Sequence, residues 1–521
     1  MAQQLHLSGF MGINKSMGEQ GSMKYATHAE NIDTRFGKLR AVNGYENYLP
    51  FIEAAPVEIP SPGDSYEDFG PIRKLFSMSL RHLPGHNNMV VAATESVVYL
   101  WKDGGGDWQY ITRIIPEAKN SSMLAFETVV GSGTNKRSVD ALLVSSASNG
   151  MILSAFTGVD TSTLNEPLII ETHTVDTPAK FGVIERYNER VFGTGSPEDP
   201  DRIWYSALYD PENWEQNMDI PEDGAGFFDY PTWDGDKFIA LKEFGSNLLA
   251  FKRDSLCVIS GTNPGEYTIY KAFGADGPIA PDTIAVYRNM VFFLTDKGIG
   301  IFDGSTIRNI SRDALGYVNF DAEVNRESAK AVIHDGIYTC AVAVDDSQIN
   351  AIIEYDIERG TYMLRTGLSV TAWANHEDDV HGECTLLVDE LHVNDWPNGH
   401  RLVCMWDVNK HYGTRPIHSV WQSPWTDMGH KEAVKSGFRV HALIEDWEEE
   451  GSEDPKVNFS VETERKIKTK ALHAQHVYTD KKKTLVKPVS NKGRQFRWKI
   501  ESDMPFAIET GLQISVDLDS D

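Results

Sequence analysis

"HEDDVHGEC", residues 376–384, gathers His376, Asp378, Asp379, His381, Glu383 and Cys384 in one short stretch, a set of donors able to coordinate a transition metal. A metal centre also needs a scaffold that fixes its ligands. This stretch mixes hard and soft donors on a polar loop with no helix to hold them, and reads as solvent-facing. "VVGSGTNKRS", 129–138, puts glycines and Lys136 after a strand-like run. It lacks the GxxxxGK[ST] spacing and no helix follows to aim amides at a phosphate, so it reads as a hairpin loop. "VDLDSD", 516–521, matches a calcium loop in composition only, with no glutamate to complete it. Glycoside hydrolysis would need paired carboxylates. Among 76 acidic residues no pair stands out, and "KDGGGDW" (102–108) and "TDKGIGIF" (295–302) share only Asp and Gly with the Ser-x-Asp-x-Gly-x-x-Trp turn of sialidases. Both read as hairpin turns. No catalytic residue, cofactor or metal is expected.

The elements that would position any chemistry are strands. Almost no helical periodicity is present; short apolar runs alternate with turns built on Gly, Asn or Asp, the pattern of antiparallel hairpins. Residues 88–111, "NMVVAATESVVYLWKDGGGDWQYI", place turns at 94–96 and 104–106. Residues 139–156 repeat the plan around Asn149-Gly150, a pair in which both residues tolerate positive φ. The plan recurs at 187–206, 237–260, 284–303, 329–357 and 401–407. Central runs such as "LLAF" and "VFFL" are apolar on successive residues and need cover on both faces. Radial stacking of small sheets supplies that cover while leaving only short edges. Six or seven such units between about residues 70 and 410 predict an all-β fold, a β-propeller; a solenoid or a pair of sandwiches competes.

Beyond residue 415 the character changes to alternating strands joined by charged loops, among them "DWEEEGSEDP" at 446–455, which predicts a small C-terminal β-sandwich. The expected division is 1–60, N-terminal arm and lead-in; 61–415, propeller; 416–521, sandwich. The connection "DPENWEQNMDIPEDGAGFFDYPTWDGD", 210–236, carries Trp214, Phe227, Phe228, Tyr230 and Trp233 with few strand signals. It reads as a long anchored loop that either covers a blade edge or meets another subunit.

Bulk composition narrows the function classes. The chain has 521 residues, 49 basic against 76 acidic, and a formal net charge of −27. A surface this acidic repels phosphate, which argues against gripping nucleic acid but not against DNA sliding past. Basic residues gather only in 463–499, read as the solvated face of the terminal domain. Cys257, Cys340, Cys384 and Cys404 are far apart in mostly apolar contexts, as buried free thiols are. No apolar run is long enough to cross a bilayer, and "MAQQLHLSGFMGINKSMGEQ" lacks the form of a secretory signal.

The order of parts resembles the tail nozzle proteins of short-tailed bacteriophages, also called packaged-DNA stabilisation proteins. The likeness is carried by "ENIDTRFGKLRAVNGY" (30–45), "PDRIWYSALYDPENW" (200–214), "GDKFIALKEFGSNLLAFKRDSLCVIS" (235–260), "PIAPDTIAVYRNMVFFLTDKGIGIFDG" (278–304), "WQSPWTDMGHKEAVKSGFRVHALIE" (421–445) and the closing "RQFRWKIES" and "GLQISVDL". It implies a virion protein of the phage tail, assembled in the host cytoplasm. The subunit would form a homo-oligomeric ring of six copies that closes the tail channel, retains packaged DNA and lets it pass on ejection. Implied partners are the adaptor or portal-side tail proteins, a tail fibre or tail needle or plug, and duplex DNA traversing without sequence-specific binding. Ring closure needs heterologous contacts. Residues 1–48 are expected to lie against a neighbouring copy or the adaptor, with Phe10, Asn14, Asn31, Arg35 and Tyr45 in the arm and Trp214, Phe228 and Trp233 in the long connection as contact residues. The rival readings are a propeller glycosidase and a receptor- or carbohydrate-binding tail protein.

Overall fold

The computed structural model describes residues 2–7, 9–14, 22–49, 71–83, 88–102, 108–114, 120–162, 166–217, 219–231, 236–272, 276–311, 315–316, 318–344, 347–378, 381–391, 403–408, 411–445, 456–464, 466–473, 482–508 and 512–519. Trp233, Asp379, the glycines 104–106 and the acidic stretch 446–455 lie outside them.

Seven blades form a β-propeller. Blade one runs Lys74–Met78, Met89–Ala93, Val97–Lys102 and Trp108–Arg113, each strand antiparallel to the next. Blades two to six repeat this meander, with inner strands Ser122–Val130, Val183–Tyr187, Ala240–Phe244, Ala285–Tyr287 and Lys330–His334. The turns follow from local chemistry. Gly245-Ser246 joins Phe244 to Asn247 with Gly245 at φ +60°, and Arg288-Asn289 joins Tyr287 to Met290 with Arg288 at φ +53°. Second strands such as Met89–Ala93 are buried along their whole length, which is why their apolar runs do not alternate. The interfaces between neighbouring blades are apolar, and the ring closes where Leu49, Val403 and Ala372 of blade seven pack on Ile72, Leu75 and Val90 of blade one.

Blade seven is assembled differently. Val370–Asp378, Gly382–Asp389 and Val403–Trp406 come from the end of the propeller, but the fourth strand is Tyr45–Leu49 from the start of the chain. "HEDDVHGEC" is therefore mostly strand rather than loop: His376 pairs with Cys384 and Glu377 with Glu383.

The C-terminal sandwich has two sheets, and both recruit the N-terminus. In one, Ala2–Leu7 lies antiparallel on Leu512–Asp519, and Leu39–Ala41 on Ala507–Ile508. In the other, His28–Glu30 pairs with Ser419–Gln422, followed by Phe496–Ser502, Lys456–Thr463 and Ile467–His473. Phe438 meets Phe496 between the sheets at 4.9 Å. The sandwich sits on blade six, where Ile13 N–H donates to Tyr362 O at 2.8 Å. A Cβ on Gly12 would lie 2.0 Å from that oxygen, so only glycine permits the approach.

The described part of residues 1–60 is thus no separate arm. The described residues between 2 and 41 belong to the sandwich and its contact with blade six, and 45–49 to blade seven. The physical reason is edge satisfaction: the incoming strands pair otherwise open edges of the last blade and the terminal sheets.

Candidate functional site

The inner strands surround the propeller axis, and polar side chains lace them together. Lys74 Nζ donates to Ser121 O of blade two at 2.8 Å. Ser122 Oγ donates to Ile184 O and accepts from Ile184 N–H, both at 3.1 Å, joining blades two and three. Lys242 Nζ meets Glu185 Oε2 at 3.0 Å between blades four and three. Asn375 Nδ2 donates to Ile333 O at 2.6 Å between blades seven and six, and Thr371 Oγ1 donates to Ile72 O at 3.2 Å, returning to blade one.

One contact crosses the axis. Asp282 precedes the inner strand of blade five and takes Lys330 of blade six at 2.8 Å and Lys74 of blade one at 3.3 Å. Blades one and five are not neighbours in the ring, so this triad bridges the bore. Burial acts to raise the Asp282 pKa, but the two ammonium groups outweigh it and hold the carboxyl well below the usual range. The triad lines a cavity of about 460 Å³ at the starting end of the inner strands, with Arg326, Glu185 and Lys242. A second cavity of about 470 Å³ lies at the finishing end, lined by Ser77, His334, Asp335, Asn375, His376 and Glu377. His376 is buried and its Nδ1 hydrogen-bonds Ser77 Oγ at 2.9 Å. Among the described residues no three His, Cys, Asp or Glu side chains converge to hold a metal. All four cysteines are buried and form no disulfide, and burial pushes the Cys257 thiol up to about 11 and Cys340 to about 12. Chemically the axial site is a set of mutually neutralised charges that fastens blades together. A duplex cannot traverse a bore in which blades one and five meet.

No family model and no curated protein matches the sequence. Solved propellers do match in structure. They include the Neurospora crassa Pan2 WD40 domain, at 10% identity and TM-score 0.37 over 73% of this chain and 98% of that one. The CNH domain of AfRom2 matches at 11% and 0.34 over 65% and 95%. The Nup170 N-terminal domain in the Chaetomium thermophilum Nup170–Nup53 complex matches at 9% and 0.39 over 62% and 57%. All three TM-scores are below 0.5, and these likenesses carry no argument about this chain.

The expected contact residues of the arm are engaged within the chain, which corrects the reading of an outward arm. Phe10 is 3% exposed, its ring 5.5 Å from Trp421 and 6.4 Å from Trp498. Asn31, at φ +55°, donates from Nδ2 to His418 O at 2.8 Å and accepts on Oδ1 from Thr366 N–H and Tyr412 O–H, both at 3.0 Å. Arg35 pairs with Asp33 at 2.8 Å. Tyr45 O–H donates to Asp389 Oδ2 at 2.8 Å in the core, where burial and then that carboxylate raise the phenol. Asn14 is half-buried, its N–H on Ala26 O. Each is an anchor because strand pairing draws the segment inward.

The long connection resolves into two parts. Residues 206–225 cross from the third to the fourth strand of blade three, and Gly226–Asp229 is the fourth strand. Trp214 packs on Phe181 at 5.0 Å, and Phe228 is half-buried 5.3 Å from Tyr205. Arg190, 1% exposed, holds the crossover from beneath by donating to Ser206 O and Gly224 O at 2.7 Å and to Glu222 O. The solvent side shows Tyr209, Ile220 and Phe227 instead, at 65%, 53% and 40% exposure. The sequence offered no signal for Lys74, Asp282 and Lys330, because each sits in an ordinary strand or turn context and only ring closure unites them.

Proposed function

We propose that this chain is a structural subunit of a bacteriophage tail, a nozzle or hub protein whose copies form a ring that closes the tail channel, retains the packaged genome and releases it on ejection. The observation that supports the reading most is the bridged axis. With Asp282 tied to Lys74 and Lys330, the bore of each propeller is bridged, so a passage for DNA lies between copies and not through one. The formal charge of −27 suits that passage: a phosphate chain beside like charge meets no attractive minimum and slides without sticking. Retention is then steric, from loops that narrow the bore. The ring of six, the adaptor and the fibre or needle partners rest on the family resemblance.

The reading is tested by locating the subunit in phage particles and by light scattering on the purified chain. Closed rings on the tail axis are expected. Peripheral density, together with release of saccharide when the chain is incubated with host lipopolysaccharide or capsule, replaces it with a propeller glycosidase.

A further inference from the structure

Two surfaces on opposite sides of the molecule complement each other. The first lies at the junction of blades two and three. There the crossover 206–225 is pinned over blade two by Glu212, which meets His173 at 2.9 Å and Thr128 at 3.3 Å. Its outward face carries the exposed Tyr209 and Ile220, and the adjoining fourth strand carries the exposed Phe227, over whose ring the Arg202 guanidinium lies at 4.1 Å. Asp210, Glu215, Asp219, Glu222 and Asp223 lie on the same crossover, all exposed, and no Lys or Arg occurs between Arg202 and Lys237. The second surface is the last strand of the smaller sandwich sheet, Ile467–His473, which pairs with Lys456–Thr463 on one side and ends the sheet among the described residues. Ile467 stands 60% exposed on it, flanked by exposed Lys466 and Lys468. In a chain this acidic, a basic sheet edge with an apolar tip is the exception to the surrounding field.

The placement of the two surfaces matters as much as their charge. The sandwich is attached at the outer strand of blade six, through Ile13 on Tyr362 O and Asn31 N–H on Leu364 O at 2.8 Å. In a ring of seven blades the position half a turn from blade six is the junction of blades two and three. The two surfaces therefore lie on opposite sides of the ring. They can meet between copies, and such an unlike-to-unlike contact repeats around a ring.

We propose that the acidic, aromatic face at blades two and three docks on the Lys466–Lys468 sheet edge of a second copy of this chain. Ile467 meets the apolar Tyr209 and Ile220, while the two lysines meet the Glu215, Asp219 and Glu222 carboxylates. Opposite potentials set both encounter and register. This rests on the ring reading above.

The test uses the full-length chain and measures self-association by light scattering and sedimentation. Lys466→Glu/Lys468→Glu and, separately, Glu215→Lys/Asp219→Lys/Glu222→Lys are each expected to weaken assembly by roughly tenfold or more, with unchanged thermal unfolding. An equimolar mixture of the two variants recovers heterotypic contacts, because the acidic edge of one now meets the basic face of the other. Variants that both assemble like wild type overturn the docking while leaving the ring in place. A wild-type chain that is monomeric at all concentrations and absent from tails overturns the ring and the docking together. A labelled duplex that binds wild type but not the lysine variant assigns the edge to DNA and also overturns the docking.

Discussion

Blades four and seven share one plan and differ in where their strands come from. Blade four is continuous, Ala240–Phe244 to Thr268–Lys271, every strand pairing with its neighbour in sequence. Blade seven takes three strands from the end of the propeller and its fourth, Tyr45–Leu49, from the start of the chain. A locally paired blade closes cheap loops, whereas blade seven must close a very long one before its contacts form. The difference shows that the ring and the sandwich are fastened by one N-terminal segment. Leu49 belongs to the core between blades seven and one, and Phe10 packs edge-on against the stacked Trp421 and Trp498 of the sandwich.

The largest break follows from removing that segment. Deleting residues 1–49 strips blade seven of its outer strand and the sandwich of Ala2–Leu7, His28–Glu30 and Leu39–Ala41. The truncated chain is expected to lose cooperative unfolding, seen by near-ultraviolet circular dichroism. A well-folded truncated monomer would return the segment to the role of an outward arm.

Next in size is the buried pair that couples blade six to the same segment. Arg365 meets Glu354 at 2.6 Å and donates to Asn43 O at 2.5 Å, both side chains being almost wholly buried. Arg365→Met strands a buried carboxylate, and chemical denaturation should show a loss of about 4 kcal/mol. Burial already raises the Glu354 pKa against the pull of Arg365. In the variant the folded value stands higher still above the unfolded one. Stability is then fully present only below about pH 4.3, the unfolded value, and falls as pH rises through the folded one. The variant is therefore more stable at pH 5 than at pH 7; the opposite order would refute the assignment.

Phe10→Ala removes a ring from the sandwich core and is expected to cost about 3 kcal/mol in the same assay. A comparable truncation in blade four, Leu249→Ala, should cost a similar amount, since Leu249 is fully buried. If Phe10→Ala is silent, the N-terminal segment does not fasten the domains.

The smallest effect concerns the axis. Asp282 has a folded pKa held below its unfolded value, so its contribution is present above about pH 4 and is lost as pH falls through the folded value. With its side chain 39% exposed, Asp282→Asn should lower stability by only about 1 kcal/mol at pH 7. The gap to wild type should shrink in acid. A gap independent of pH would mean that the lysines do not act through charge.

Local elements were legible in the sequence for a physical reason: each of the first six blades declares its own turns and its own doubly covered strands. Asn149-Gly150 and Gly245-Ser246 mark hairpins that the structure contains, with Gly150 and Gly245 at positive φ. The seven-blade count and the sandwich fall within what such runs imply. What did not show was pairing at long range. Tyr45 looks like any strand aromatic until Asp389 and Tyr412 are placed beside it, and "NIDTR" looks polar because Asn31 and Asp33 satisfy backbone and Arg35 that the sequence brings from elsewhere or nearby. The axial triad was invisible for the same cause. In the long connection the aromatic residues Trp214, Phe227 and Phe228 were visible, but that Phe227 stays exposed, with Tyr209 and Ile220 beside the crossover, emerges only once Arg190 fixes the crossover.

The most direct measurement is electron cryomicroscopy of phage tails carrying this subunit. The account predicts a closed ring on the tail axis, each propeller bridged across its own bore, carboxylates facing the central bore, and blades two and three of one copy seated on the sandwich of the next. A single copy at the tail periphery, or a bore lined by lysine and arginine, would contradict it.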